Sequence, residues 1–427
     1  MAPQSILLKL AEDIHSKTFQ IVKTLRQREQ AEPNFESDSP IVDPRIETSH
    51  DYEELKNAVN EAANDLLLLI NGPKTFLRTF LTTHYELAAY QAAIEFKFFE
   101  KVPRQGSIHV AKLAESVGMD EDRTGRFLRL LATQRVFKEV KEDYFAHTAA
   151  SMALAIDPEV NSAAGMQMDE MFKAASETSN AIRANPSGAH SNDSPFKFRF
   201  GLHTFQFYAK NPQKAARFAQ AMAGVSQMDR QFSELRDGYP WERFGNGKIV
   251  DVGGGSGHVS IYLAQQFPSL SFVVQDESPD MIAQGQPLLA KSSDLTLRTR
   301  VSYMRHNFFH PQPVHDASAF FIRQCVHNWP DQECITILRQ FIPALEAAPP
   351  GTPLIINDTV LPKLNTRTRY EERLLRQLDI AMLVVINAKQ RTEKEFRKLV
   401  KEADSRFEVK KVHSEGSMGL VEIYLQR

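Results

Sequence analysis

The sequence predicts an α/β protein whose C-terminal half is a doubly wound, mostly parallel sheet, preceded by an all-α region with a winged-helix-like segment. Three observations lead there. From residue 248 onward, apolar runs at 249–252, 272–274, 301–304, 319–322 and 353–358 alternate with helical spacing, the order expected of βαβ units. The first run is followed at once by the turn Gly253, Gly254, Gly255, Ser256 and Gly257. Residues 4–99, by contrast, carry helical periodicity and no strand pattern.

The chain has 427 residues, 42% hydrophobic and 24% charged, which suits a globular protein with two or three cores. A formal charge of −2 gives no basic excess for nucleic acid. Cys325 and Cys334 are too few for a disulfide framework or a metal site. A reducing cytoplasm is the expected setting, and no metal is expected. The N-terminal stretch has acids within its apolar pattern and no small-residue cleavage site, so it reads as a helix rather than a leader. The longest apolar runs, such as 66–70, are too short to span a membrane.

Residues 4–30 form an amphipathic helix through Ile6, Leu10, Ile14, Ile21 and Leu25. The stretch 32–44, with three prolines and several acids, is a linker. A second helix, 52–70, stops at Asn71-Gly72-Pro73, and a third occupies 74–99. So many apolar helix faces ahead of the sheet point to helix exchange with a second subunit, hence a homodimer. Residues 107–148 read as a winged helix: one helix stopped by Gly118, a second over 120–134, then strands at 136–140 and 144–146. The second helix mixes Arg123, Arg126 and Arg129 with Asp120, Glu121 and Asp122. That is a solvated face rather than a DNA-reading stripe, and a dimerisation scaffold is expected. Met166, Met168, Met171 and Phe172 form an apolar stripe that reads equally as core or as the wall of a pocket for a flat apolar molecule. A helix over 211–232 leads into the sheet. Beyond the fifth apolar run, 370–386 and 392–403 are helical, the latter opened by a Thr392/Glu395 capping box, and 407–412 and 419–425 close the sheet. Four regions result: a helical dimerisation region (1–100), a winged-helix-like region (101–150), a helical linker and substrate-pocket region (151–235) and a catalytic domain (236–427).

Residues 248–276 are the centre of this plan. Glycines let the backbone approach a ligand, and a helix start offers free N–H groups. Asp276, ending the second run, can take both hydroxyls of a ribose. A dinucleotide fingerprint needs a further glycine at position 258, which is His258; the pattern is instead Asp251-x-Gly253-x-Gly255-x-Gly257. This form resembles motif I of S-adenosyl-L-methionine-dependent methyltransferases, which implies that cofactor and a Rossmann-like sheet. Ligands of such sheets bind at the carboxyl ends of the strands, where Asp276, Asn307, residues 323–327 and Asp358 also fall. His327, just past a strand and ahead of a helix, can accept a proton from a hydroxyl, or can be a structural histidine. Asp358, at the end of the next strand, can orient its ring.

Four stretches then resemble one family. VHNWPDQECITILR is similar to the catalytic H-D-W segment of the plant caffeate-type O-methyltransferases and their fungal secondary-metabolite relatives. VDVGGGSG resembles their cofactor loop, LIINDTVLP the segment of the first acidic partner, and NAKQRTEKEF their N-G-K-E-R-T-E-x-E-F segment. The winged-helix region and the helices before it are similar to the family's dimerisation domain, and the resemblance runs from about Tyr52 to the end. It implies an O-methyltransferase acting on a phenolic or enolic hydroxyl of a small aromatic or polyketide-type metabolite. It implies His327 as general base, Asp358 as its first carboxylate partner, and Gln390 in the place of the second. Gly253 and Gly255, in a loop with Asp251, Gly254 and Gly257, face the methionine part of the cofactor. Asp276 faces the ribose, Asn307 and Phe308 the adenine, and Arg323 stands where the family often has a basic residue near the cofactor. The resemblance implies that Met382 and Asn387 line the acceptor pocket; Met168 and Phe172 are candidates for the same pocket from the apolar stripe alone, not from the resemblance.

The sequence departs from the family at three places. The family usually carries a carboxylate at each of them, aspartate at the first two and glutamate at the third; this chain has Asn307, Asn328 and Gln390. Gln390 hydrogen-bonds but cannot stabilise an imidazolium by charge. Two readings follow: a methyltransferase for a more acidic phenol, or a methyltransferase-like cyclase, pericyclase or dehydratase that binds the cofactor without methyl transfer. The retained His327 favours the first.

Overall fold

The computed structural model describes residues 5–39, 50–188, 193–229, 232–292, 294–414 and 418–427. Residues 40–44 of the expected linker lie outside these. The chain divides into two compact units. One takes Met1–Ser176, Thr204–Asp229 and Thr368–Arg373; the other takes Glu177–His203, Arg230–Arg367 and Leu374–Arg427. Residues 151–235 therefore contribute to both.

The first unit opens with the helix Ile6–Gln27, followed by the long helix His50–Glu95. The latter is broken at Gly72 (φ 68°, ψ 168°), just ahead of Pro73. Glycine reaches this left-handed φ without a Cβ clash, and proline has no N–H to continue the ladder. The expected stop is therefore a kink through which the chain passes directly into its next helical segment. The winged-helix segment follows as β1 (Ile108–His109), helices Val110–Val117 and Glu121–Thr133, β2 (Phe137–Lys141) and β3 (Tyr144–His147), in the sheet order β1-β3-β2. Gly118 caps one helix at φ 68°, and Asp120 caps the next by accepting from the Arg123 N–H. Phe98, Phe99, Leu113, Leu128, Leu131, Phe137 and Phe145 fill its core. Arg123, Arg126 and Arg129 pair with Asp120, Asp122 and Glu139 respectively.

At Gln167–Met171 the helix widens into a π turn. Met166 is core there, with Ala163, Ala221 and the partly buried Met171 and Phe218. Met168 and Phe172 are half-buried. Between these apolar residues, Asp169 and the buried Glu170 accept from Lys214 and Arg217, an ion cluster that the methionine stripe concealed.

The second unit carries β4 (Lys248–Val252), β5 (Ser271–Asp276), β6 (Val301–Arg305), β7 (Ala319–Arg323), β8 (Leu354–Asp358), the short β9 (Val360–Leu361) and β10 (Arg391–Thr392), then β11 (Phe407–His413) and β12 (Gly419–Leu425). The main sheet has seven strands in the order β11-β12-β8-β7-β4-β5-β6. Its pairings from β6 to β8 are parallel, and β12 is antiparallel to both β8 and β11. Successive side chains point to opposite faces. Ile249, Phe321 and Ile355 join the core under helix His258–Gln266. Val250, Phe320 and Ile356 join the core under helices Asp331–Gln340 and Glu393–Ala403. The order runs outward from β4 to β6 and restarts on the other side of β4 with β7. The carboxyl ends of β4 and β7 thus flank the switch point at which such sheets hold ligands.

Candidate active site

Immediately after β4 the chain turns through Gly253 (φ 73°), Gly255 (φ 58°) and Gly257 (φ 74°). A side chain in this left-handed region costs roughly 1–2 kcal/mol. Space forbids one as well: a Cβ on Gly253 would stand 2.6 Å from Cys325 Sγ, and one on Gly257 2.9 Å from the Tyr303 hydroxyl. The Gly253 and Gly254 N–H groups donate to the Gln275 carbonyl at 2.8 and 2.9 Å. The Gly255 N–H donates to Asp276 Oδ2 at 3.0 Å, and Asp276 Oδ1 accepts from Ser278 N–H at 2.9 Å. Asp276 therefore ties the end of β5 to the loop. Gln275 is itself fixed by a reciprocal amide pair with buried Gln312, at 2.9 and 2.8 Å. From β6, the Tyr303 hydroxyl donates to the Ser256 carbonyl at 2.8 Å.

Asp251 lies beneath this loop. Its Oδ2 accepts from Ser260 Oγ at 2.6 Å, and burial pushes its carboxyl up to about 6, against the opposing pull of Ser260 and the Arg323 charge. Arg323 donates to the Asn357 side-chain oxygen. Cys325 is buried under the loop, and desolvation with three nearby carboxylates pushes its thiol well up, so it stays an uncharged thiol.

Two of the departures from the family pattern have local causes. Asn307 Oδ1 accepts from the Phe309 N–H at 2.9 Å, and its Nδ2 donates to Glu277 Oε1 at 3.0 Å. A carboxylate at 307 would oppose Glu277 with like charge. Asn328 Nδ2 donates to the Gln324 carbonyl at 3.0 Å, which an ionised aspartate cannot do. Gln324 itself is held at φ 52°. Phe308 lies beside Gly253, and Phe309 packs edge-on against Trp329 at 4.8 Å, joining the loops after β6 and β7.

His327 sits in the 3₁₀ turn Val326–Asn328 after β7 and is buried. Its backbone N–H donates to Asp358 Oδ2 at 3.2 Å. Its Nδ1 lies 3.7 Å from Asp358 Oδ1 and 3.1 Å from Gln390 Nε2. In this amide orientation Gln390 Oε1 is buried without a donor among the described residues. Flipped end for end, the amide brings Oε1 to Nδ1, where it accepts the ring N–H; the two orientations are equivalent in shape. In the flipped orientation the ring carries its proton on Nδ1 and Nε2 is the free nitrogen; in the unflipped orientation, Gln390 Nε2 donates to an unprotonated Nδ1.

His327, Asp358 and Gln390 are therefore brought together, and the glycine loop, Asp251, Asp276, Asn307, Phe308 and Arg323 surround the carboxyl ends of the neighbouring strands. Asn387 (φ 53°) ends the helix Arg369–Ile386 and donates to the Gly188 carbonyl at 2.9 Å; Met382 is half-buried on that helix. Met168 and Phe172 belong to the other unit. Sequence reasoning missed Tyr303, Gln312 and Arg391. Only Arg391 had a signal, its place inside NAKQRTEKEF.

A nucleoside cofactor fits this site. Three glycines open the loop where side chains would collide, a carboxylate ends the adjacent strand, and a buried acid supports the turn. Fold and site together define an α/β enzyme that binds such a cofactor beside a buried histidine. An O-methyltransferase domain matches residues 183–406, and an O-methyltransferase dimerisation domain matches residues 79–157. The chain is 48% identical over 424 residues to O-methyltransferase sol2 of Alternaria solani, covering 99% of this chain and 96% of that protein. It is 30% identical over 416 residues to a chlorophenol O-methyltransferase of Trichoderma longibrachiatum, covering 96% and 87%. Among solved structures, the crystal structure of OxaC shares the fold with a TM-score of 0.76 at 21% identity, covering 98% of this chain and 99% of that one. The chain belongs to the O-methyltransferase family, and its cofactor is S-adenosyl-L-methionine. The dimerisation domain supports a homodimer. The cyclase reading is not favoured, since a relative this similar along the whole chain is an O-methyltransferase. Among the described residues, no helix is long and apolar enough to cross a membrane.

Proposed function

We propose that the protein methylates a phenolic or enolic hydroxyl of a small aromatic or polyketide-type secondary metabolite, with His327 as general base. The observation that carries this reading is the engagement of His327 Nδ1 by Gln390 and Asp358 at the strand ends that also bear the glycine loop. The chlorophenol relative supports a phenolic acceptor. Both cysteines are free and buried, which suits a reducing cytoplasm.

In this reading Gly253, Gly254, Gly255 and Gly257, supported by Asp251, hold the methionine part of the cofactor. Asp276 holds the ribose, Asn307 and Phe308 the adenine, and Arg323 lies near the cofactor. When bound, S-adenosyl-L-methionine supplies an electrophilic methyl group. His327 takes the acceptor's hydroxyl proton at Nε2, raising the nucleophilicity of the oxygen. The buried Asp358 carboxylate stabilises the charge that the ring then carries, and Gln390 fixes the tautomer. Met382 and Asn387 line the acceptor side.

The test is incubation with methyl-labelled cofactor and a panel of phenols that includes chlorophenols, followed by product analysis. Label is expected in the product, and His327→Ala is expected to lower turnover by ~10²–10⁴, the scale of a positioned general base. Turnover retained in that variant overturns the role of His327. A converted product without label overturns methyl transfer.

A further inference from the structure

Arg391 is among the largest fully buried side chains of the molecule, with 1% of its surface exposed. A buried guanidinium is tolerated only when its donors are satisfied, so the destinations of those donors are informative. Nη1 donates to the Val326 carbonyl at 3.2 Å, and Nη2 to the Trp329 carbonyl at 2.9 Å. These two residues bracket His327. Nε and Nη2 both reach Asp331 Oδ1, at 3.0 and 2.7 Å. Asp331 Oδ2 in turn pairs with Lys389 Nζ at 2.9 Å. One carboxylate beyond His327 is thus held by the residues on either side of Gln390. The backbone of Arg391 adds a third tie: in the short parallel pair β9–β10 it is in register with Val360, two residues past Asp358.

We propose that Arg391 is a positioning residue. It fixes the distance and ring orientation at which His327 meets Gln390 and Asp358, and so holds the imidazole in one tautomer. Arg391 touches neither cofactor nor acceptor; it acts through His327. The inference rests on the assignment of His327 as base. A lysine cannot replace it in full, because a single ammonium does not reproduce the planar fork that serves two carbonyls and a carboxylate at once.

The experiment reads the histidine directly and needs no substrate. Full-length Arg391→Met and Arg391→Lys proteins are labelled with ¹⁵N-histidine, and tautomers are read from two-bond proton–nitrogen correlations. The His327 signals are assigned by their absence in His327→Gln. Wild type is expected to show a single Nδ1–H tautomer, Arg391→Met a mixture of tautomers, and Arg391→Lys an intermediate spectrum. In parallel, Arg391→Met is expected to lower kcat by about 10²-fold, the scale of a misplaced catalytic group, with the KM for S-adenosyl-L-methionine within about twofold of wild type. A folded Arg391→Met protein with the wild-type His327 spectrum overturns the proposal. Should that variant fail to fold, Asp331→Asn takes its place: a disturbed His327 tautomer supports the proposal and a wild-type spectrum overturns it. Absence of methyl transfer in the wild type counts against the proposed function and leaves the tautomer measurement intact.

Discussion

The side-chain amide of Gln390 lies 3.1 Å from His327 Nδ1, while the Asp358 carboxylate approaches the same nitrogen at 3.7 Å. The ring is flanked by one amide and one carboxyl group, both buried. In a buried site a single carboxylate already acts strongly on a cation that forms beside it, so the neutral Gln390 contributes direction more than charge.

Gln390→Glu separates those two contributions. An added carboxylate at Nδ1 favours the protonated ring, so the acid limb of the kcat/KM profile is expected to move to higher pH by about one unit or more. Below that limb the variant is slower than wild type; above it the stronger base is expected to favour less acidic phenols. Profiles against two phenols of different acidity check this. A limb that stays in place removes His327 from the titration.

Asp251 gives a pH-dependent stability. Its folded-state carboxyl is pushed up to about 6 from an ordinary value of 3.8. Well below that ordinary value both folded and unfolded chains are protonated there, and nothing is lost. As pH rises from there through about 6, the unfolded chain ionises freely while the folded chain must bury the charge, at a cost of about 3 kcal/mol. Asp251→Asn stays neutral and keeps an acceptor for Ser260. Its Tm relative to wild type is therefore expected to rise between about pH 4 and about pH 7 in the cofactor-free protein. A Tm difference that does not vary with pH contradicts the raised carboxyl.

Gly253→Ala meets two obstacles, a φ of 73° and a contact of 2.6 Å with Cys325 Sγ. Cofactor binding by calorimetry is expected to weaken by about tenfold or more, in line with the backbone cost alone. Adding Cys325→Ala should recover part of the loss by removing the collision, and leave the part due to φ. Full recovery would show that the backbone term is negligible.

Phe80 and Leu81 are exposed in the single chain and fall within the matched dimerisation domain. Leu81→Asp places a charge in that apolar surface, and burying an unpaired charge is strongly unfavourable. Sedimentation is expected to show a monomer or a much weaker dimer. A dimer of unchanged strength would place the interface elsewhere.

The sheet and the cofactor loop were legible because their signals are local. Alternation of apolar runs and helical spacing follows from the geometry of each element, and the spacing of Gly253, Gly255 and Gly257 reflects backbone angles that only their own residues decide. The Thr392/Glu395 capping box was legible for the same reason and is present. Gly72-Pro73 marks a break in the helix but not its outcome, which is a kink. A Gly-Pro pair interrupts the hydrogen-bond ladder, and whether the chain stops or kinks depends on what the next segment packs against.

The methionine stripe shows the limit of periodicity. Met166 is core, yet the polar residues between the methionines, Asp169 and Glu170, bind Lys214 and Arg217 from a helix distant in sequence. Asp169 and Lys214 alone are 45 positions apart, and no local pattern encodes such a pairing.

From the sequence by itself come the α/β class, the cofactor loop and the candidate trio His327, Asp358 and Gln390, because each is written in a contiguous motif. Only the tertiary structure decided how that trio meets. His327 and Gln390 are 63 positions apart, and their contact depends on a sheet that closes β7 against β8 and on Arg391, whose donors satisfy backbone carbonyls beside His327. The backbone groups that accept from a buried guanidinium carry no side-chain signature, so a position of that kind becomes visible only once the chain is folded.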